Sequence, residues 1–247
     1  MTIRANVWER YAKRLSKINT EAARLISEWI DRNGLDDVEA LVAYAYGVTT
    51  KYGEAAVALV AEMYDAIAEM ENVPLEPADP EQTPSYGTVR RTIYGVMKTS
   101  RNTAMIAAAV GRQVKKAGAD TMLKNAVRDH AQYAWIAIGE TCPFCLSIAA
   151  EGWKPAGSGT LKSEHIHGNC DCTYSVRHRQ DTQVGGYDPE KFQKMFDDAE
   201  GSTEEEKLNY LRREAYAENK KEINAQKRDA YEKRKELNSS AAEEIDV

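Results

Sequence analysis

Thr141-Cys-Pro-Phe-Cys-Leu146 and His165-Ile-His-Gly-Asn-Cys-Asp-Cys172 hold all four cysteines of the chain and two of its four histidines. Two thiol pairs at opposite ends of a short segment are spaced as two halves of one metal site. Cys142-x-x-Cys145 lets two thiolates reach a tetrahedral ion from a tight turn, which Pro143 fixes and Phe144 can pack beneath. A helix starting here, Cys145 to Ala150, would aim its unpaired amides at the sulfurs and favour the thiolate form. The second half offers four candidates, His165, His167, Cys170 and Cys172, for two places. Gly168 and Asn169 allow a sharp reversal between His167 and Cys170. Cys172 reaches the same point if the chain is extended there. The preferred set is Cys142, Cys145, His167 and Cys172 around a structural Zn2+, with Cys170 as the close substitute. His165 is read as a loop residue or a support for the ligands. Two disulfides remain arithmetically open. A redox pair is disfavoured because the segment ahead of Cys142 reads as helix, not as a strand of a thioredoxin-like sheet.

Working outward, the chain before the cysteines is helical in pattern. Trp8, Tyr11, Leu15, Ile18, Ala22, Leu25 and Trp29 recur every three or four positions and predict a helix over Val7 to Ile30. Asn33-Gly34 is its stop. A second helix is expected from Asp36 or Asp37 to about Thr49, and a third from Gly53 to Met70. Residues 72–85 hold Pro74, Pro77, Pro80 and Pro84, which rule out a regular helix. That stretch is a linker or an extended arm across another surface. Helicity is expected to resume at Tyr86 and run to about Ile138, with breaks at Gly95 and Gly111. Gly118-Ala-Asp120 reads as a boundary, with Asp120 or Thr121 capping a last helix that carries His130, Ala134, Trp135 and Ile138.

After the cysteines, Tyr174-Ser-Val176 is a candidate strand and Gln180 to Gly186 a loop. Arg177, His178 and Arg179 read as a small basic surface patch. Asp188-Pro189-Glu190 opens a helix with cap and first-turn proline, with Phe192, Met195 and Phe196 as its buried edge. Thr203-Glu-Glu-Glu206 is a capping-box pattern that opens a charged helical segment to about Leu237. This segment is either a solvated tail or a helix that orders against a partner. Ser239 to Val247 is expected to be disordered.

The whole chain has 247 residues, 43% hydrophobic and 29% charged, with a formal net charge of -6, which does not suit a protein that coats nucleic acid. Lys98, Arg101, Arg112, Lys115, Lys116 and Lys124 nevertheless form a basic series on the middle helices. No apolar run is long enough to span a bilayer, and the first residues lack the pattern of a secretory signal. A reducing compartment is therefore expected, where clustered thiols more often hold metal than form disulfides.

A catalytic zinc would need an open water position and an acid or base nearby. Glu140 and Glu164 lie near the motif, but the His-x-Glu that precedes the cysteines of nucleoside deaminases is absent. The distance between the two halves exceeds that of a zinc finger, and no basic recognition helix follows. No enzymatic activity is expected. The order Cys142-Pro143-Phe144-Cys145, a loop, then His167-Gly168-Asn169-Cys170-Asp171-Cys172 resembles the signature of the phage Mu-type head morphogenesis family, the minor head or minor capsid proteins. The match covers roughly Asp129 to Val176. Glu164-His165-Ile166 stands where that family carries aromatic or proline residues.

The resemblance implies a virion protein of the head interior or portal vertex, made in the host cytoplasm. It implies binding to the portal and other head proteins, several copies in a symmetric assembly, and a part in head assembly and genome delivery. The alternative is a zinc-containing nucleic-acid-binding module that touches packaged DNA. The expected fold is mainly α: a helical body with a small zinc-stapled module and long helical or extended arms. Its regions are 1–71 (N-terminal helices), 72–85 (linker or arm), 86–138 (helical core), 139–180 (Cys/His module) and 181–247 (charged tail).

Overall fold

A computed structural model describes residues 1–137, 142–157, 161, 163, 166 and 172–243. Among them are seven helices and five short strands. The fold is a mainly helical bundle with a small sheet at one end, and no described helix is long and apolar enough to cross a membrane.

Helix α1 (Ala5–Asn33) buries Trp8, Tyr11, Leu15 and Ala22 as its periodicity predicts, but its second half buries Ile26 and Ile30, while the predicted Ile18, Leu25 and Trp29 are half-buried. It stops at Gly34, whose φ of 75° lets its amide donate back to the Ile30 carbonyl at 2.7 Å, a geometry that suits glycine. The second and third predicted helices are one: α2 runs from Val38 to Met70. The break expected at Thr49-Gly53 is absent because the buried stripe stays in phase through it, by Val42, Ala45, Thr49, Gly53, Ala56 and Val60. Packing against α1, α3 (Tyr86–Thr99) and α4 (Thr103–Arg128) outweighs the weak helix propensity of glycine and threonine there.

The proline-rich segment is an arm rather than a free linker. It lies along α2 and α4, held by side chains that take the place of a β-ladder. Asp65 accepts from the Ala78 amide at 2.7 Å, Asn125 from Asp79 at 2.8 Å, and Thr121 from Glu81 at 3.1 Å. Arg128 donates to the Pro77 and Glu76 carbonyls.

Helix α3 (Tyr86–Thr99) and α4 (Thr103–Arg128) are separated at Ser100–Asn102, not at Gly95 or Gly111. Asn102 caps α4 by accepting from the Met105 amide at 3.1 Å. The glycines of α4 serve close approach instead. A Cβ at Gly111 would lie 3.3 Å from the Asn19 carbonyl oxygen of α1, and one at Gly118 would lie 3.0 Å from Val60 of α2. Asp120 and Thr121 sit inside α4 and cap nothing. Their side chains reach outward to other segments, which is why their sequence context resembles a cap.

The largest departure follows Arg128. His130, exposed at φ 52°, turns the chain, and residues 132–136 form strand β2 (Gln132–Ile136) instead of helix. Tyr133, Trp135 and Ile136 favour a pleated surface, and the partner strand, distant in the sequence, is what they pack beside. The sheet order is β3-β2-β4, antiparallel throughout, with β3 at Lys154–Pro155 and β4 at Thr173–Arg177. Strand β4 extends the predicted one by a residue at each end. Trp135 and Tyr174 meet edge to face at 4.7 Å. A second, parallel pair joins β1 (Thr2–Ile3) to β5 (Gln183–Val184), in the stretch expected to be loop.

Helix α5 (Pro143–Ala150) and α6 (Pro189–Asp197) close the sheet end. Asp188 caps α6 as expected, but Met195 is exposed and only Phe192 and Phe196 are half-buried. Helix α7 (Glu204–Glu243) begins at the expected capping box, with Glu206 bonded to the Thr203 amide and Thr203 to the Glu206 amide. It continues past Leu237, so residues 239–243 are helical, while 244–247 lie outside the described residues. Among the described residues it packs chiefly against α5 and α6. One hydrophobic core joins β1 and β5, α1 to α5, β2 and β4.

Candidate functional site

Cys172 leads directly into β4, and Cys142 follows the last residue of β2 by six positions. Ile136 closes β2 opposite Thr173, the first residue of β4. The chain leaving β2 therefore reaches Cys142 from the same edge at which Cys172 delivers it into β4. Cys142 is the N-cap of α5, one step ahead of the first-turn Pro143, and its Sγ accepts the Cys145 amide at 3.5 Å. The helix thus starts two residues earlier than the expected Cys145, and one of its amides, that of Cys145, faces a sulfur. That is the environment in which a thiolate is favoured. Cys145 and Cys172 are wholly buried and belong to the hydrophobic core, while Cys142 is half-buried against it.

Ile138, Gly139, Glu140, Glu164, His165, His167, Gly168, Asn169, Cys170 and Asp171 lie outside the described residues. Among the described residues, no three His, Cys, Asp or Glu side chains form a group that could hold a metal ion. A four-ligand site therefore depends on His167 or Cys170 joining the described thiols. The chemistry of Cys142 and Cys145 fits such a role, with sulfurs separated by one helical turn and amide donors at hand. The argument against a preceding strand does not hold, since β2 stands directly before Cys142; the sheet is antiparallel.

Sequence reasoning missed what anchors the loop between the motif halves. Asp120 accepts from the Ser163 amide at 2.8 Å and from its hydroxyl at 2.6 Å. Lys116 bonds Asp120 at 2.8 Å and the Ser163 carbonyl at 3.1 Å. Ser163 and Ile166 are each only 2% exposed, so the chain on either side of His165 is pinned to the body. The lysine–aspartate pair at i, i+4 within an apolar stretch is the one signal that could have pointed here.

A second polar node lies at the far edge of β4. Tyr64 donates to Asp129 at 2.7 Å, and Arg128 pairs with the same carboxylate. Burial works to raise the Asp129 pKa, but the bonds from Arg128 and Tyr64 outweigh it and hold it below the usual carboxylate value. The His178 amide donates to the buried Glu71 at 2.7 Å, and its ring stands edge-on to Tyr64 at 5.3 Å. Neither ring nitrogen has a hydrogen-bond partner among the described residues. Burial lowers its pKa, against the pull of Glu71 and Asp129. Arg177 packs on Trp153 and bonds Gln132. Of the three residues read as a surface patch, only Arg179 is one.

The basic series on the middle helices is largely spoken for. Lys115 is buried over the Trp135 ring, Lys116 pairs with Asp120, Lys124 with Asp79, and Arg101 with Asp36. Lys98 and Arg112 remain exposed.

Fold and motif together define a mainly helical protein whose cysteines flank a small antiparallel sheet. The chain belongs to the VG15 protein family, whose model matches residues 2–199. That span holds α1 to α6 and the whole cysteine motif, and ends before α7. No curated protein and no solved structure matches the chain.

Proposed function

We propose that this chain is a minor head protein of a tailed phage, bound to the portal or the head interior and acting in head assembly and genome delivery. The observation that carries the reading is that Cys145 at the start of α5 and Cys172 at the entry to β4 lie in one hydrophobic core, with Cys142 packed against it. These are the described thiols of the two motif halves on which the resemblance to the head morphogenesis family rests.

In this reading Cys142, Cys145, His167 and Cys172 hold a structural Zn2+, with Cys170 able to replace Cys172. The ion would supply folding free energy to a small end module, as structural zinc does. The chain's own part is to bury Cys145 and Cys172, to aim the α5 amides at Cys142, and to pin the loop through Ser163. Helix α7, which packs chiefly against α5 and α6, and the charged surface serve partners in the assembled head. The role is assembly, not catalysis.

Co-expression with a portal protein from the same phage genome, followed by size-exclusion chromatography and native mass spectrometry, tests the proposal. Migration of several copies with an intact portal ring supports it; a chain that elutes alone from a well-formed ring counts against it. The second reading, a zinc-containing module on packaged DNA, loses the surface first assigned to it, because four of those six cations are buried or paired.

A further inference from the structure

Helix α1 treats charge in two opposite ways along its length. Over residues 21–32 its outer face is a closed ladder: Glu21 with Arg24, Arg24 with Glu28, and Glu28 with Arg32. Over residues 10–17 the same face carries Arg10, Lys13, Arg14 and Lys17, all exposed, and Arg4 precedes them at the helix cap. None of these five is in an ion pair among the described residues. Lys17 acts on Glu21 from a turn away, but that carboxylate is bonded to Arg24. The four spaced at i, i+3, i+4 and i+7 lie on one face, opposite the buried Trp8, Tyr11, Ala12 and Leu15.

This arrangement works against the helix. Arg10 with Arg14 and Lys13 with Lys17 are like-charge pairs at i, i+4, which destabilise. Cations in the first turns also oppose the macrodipole, and the first turn of α1 contains no acid to offset them. The second half of α1 shows that an alternating, self-neutralising face is available to this chain. Residues 4–17 hold five cations and one acid, Glu9, a net of +4 within a chain of -6, which leaves -10 on the rest.

The chemistry of the face selects its partner. No large apolar residue is exposed between Arg4 and Lys17. Protein interfaces draw their energy from aromatic and arginine anchors seated in a packed, desolvated centre, and this face has arginines but no large exposed apolar residue to build such a centre. A phosphate backbone needs only a row of cations. From Arg4 to Lys17 the helix runs about 20 Å, alongside which a duplex presents roughly a dozen phosphate charges.

We infer that the outer face of α1 at Arg10, Lys13, Arg14 and Lys17, with Arg4, binds the phosphate backbone of double-stranded DNA without regard to sequence. This goes beyond the portal reading and stands without it, since it involves no cysteine and no metal.

The test is fluorescence anisotropy of the full-length protein with a labelled duplex of about 30 base pairs, titrated between about 50 and 200 mM salt. Four phosphate contacts give a log–log slope near -3.6, so affinity falls about 100-fold over that range. In the R10Q/K13Q/R14Q/K17Q variant, the slope drops by about 3 to 4 while circular dichroism stays unchanged. The K98Q/R112Q variant keeps the wild-type slope. Absence of duplex binding at the lowest salt overturns the inference, as does a quadruple variant with the wild-type slope. Competition by poly-glutamate as strong as by duplex, at equal charge, would assign the face to an acidic protein instead and equally overturn it.

Discussion

Asn125 and Asp79 exchange two hydrogen bonds: the Asp79 amide donates to Asn125 Oδ1 at 2.8 Å, and Asn125 Nδ2 donates to the Asp79 carbonyl at 3.0 Å. One fully buried side chain of α4 thus satisfies both backbone groups of a residue in the proline-rich arm. Prolines remove amide donors from this segment, so the few amides that remain carry its docking. Asn125→Ala should cost about 1–3 kcal/mol, because it removes two hydrogen bonds worth about 0.5–1.5 kcal/mol each. Hydrogen exchange should show faster exchange at Asp79 and Glu81, with the amides of α1 unchanged. Uniform acceleration across the chain would mean that the arm is not a separate local unit.

Gly118 lets α2 and α4 cross at close range, with Val60 3.0 Å and the Ala56 carbonyl 3.5 Å from where its Cβ would stand. Val60 and Ala56 are wholly buried and cannot swing away as a surface side chain would. Gly118→Val should destabilise by about 1–3 kcal/mol through overpacking. A urea midpoint equal to that of the wild type would refute the close crossing.

Tyr64→Phe removes the bond to Asp129, and a hydrogen bond to a charged group is worth about 1.5–3 kcal/mol. The linked pH effect has a definite sign. Asp129 has its folded pKa held below the ordinary 3.8, so its contribution is complete above about pH 4 and is lost as pH falls through the lowered value. Acid unfolding followed by circular dichroism should begin at higher pH in Tyr64→Phe than in the wild type. An unchanged acid limb would sink this assignment.

His178 titrates in a different range and for a different reason. Its folded pKa lies below the ordinary 6.5 because burial disfavours the charged ring. Protonation therefore favours the unfolded chain, and stability should decline as pH drops below about 6.5 until the folded value is passed. His178→Gln should flatten the urea midpoint between pH 7 and pH 5 relative to the wild type. Equal slopes for both proteins in that interval would show that the ring is not desolvated.

Zinc bound at the cysteine motif should appear as one ion per chain in native mass spectrometry. Cys142→Ser and Cys145→Ser should each lose it and lower the thermal midpoint, as removal of structural zinc from a small module does. A strong chelator should reproduce the loss in the wild type. Protein that is metal-free as purified and indifferent to the chelator would remove the zinc reading.

Several elements were legible because their signals are local. The stripe of α1, its stop at Gly34, the cap of α6 at Asp188 and the capping box at Thr203 all lie within a few residues of the structure they specify. The unbroken α2 was legible too. Its buried positions hold phase across Thr49 and Gly53, and the expected break gave glycine propensity more weight than periodicity. Strand β2 was not legible. Gln132 to Ile136 follows a long helix and shares its apolar character, and what makes it a strand is pairing with Thr173 to Arg177. The roles of Asp120 and His178 were hidden for the same reason, since Ser163, Glu71 and Tyr64 are distant in the chain.

The amino-acid sequence by itself determined the helical character of the body, the position of the rigid arm and the two-part cysteine motif. Periodicity, proline chemistry and ligand spacing act over a few residues and need no partner. Only the tertiary structure decided that the arm docks on α2 and α4, that a sheet joins the two ends of the motif region, and which cations stay open. Lys124 looks as free as Lys13 and Lys17 in a linear reading. Folding brings Asp79 to Lys124 and leaves Lys13 and Lys17 facing outward. Charge pairing depends on distances across the fold, and these exist only once the helices have packed.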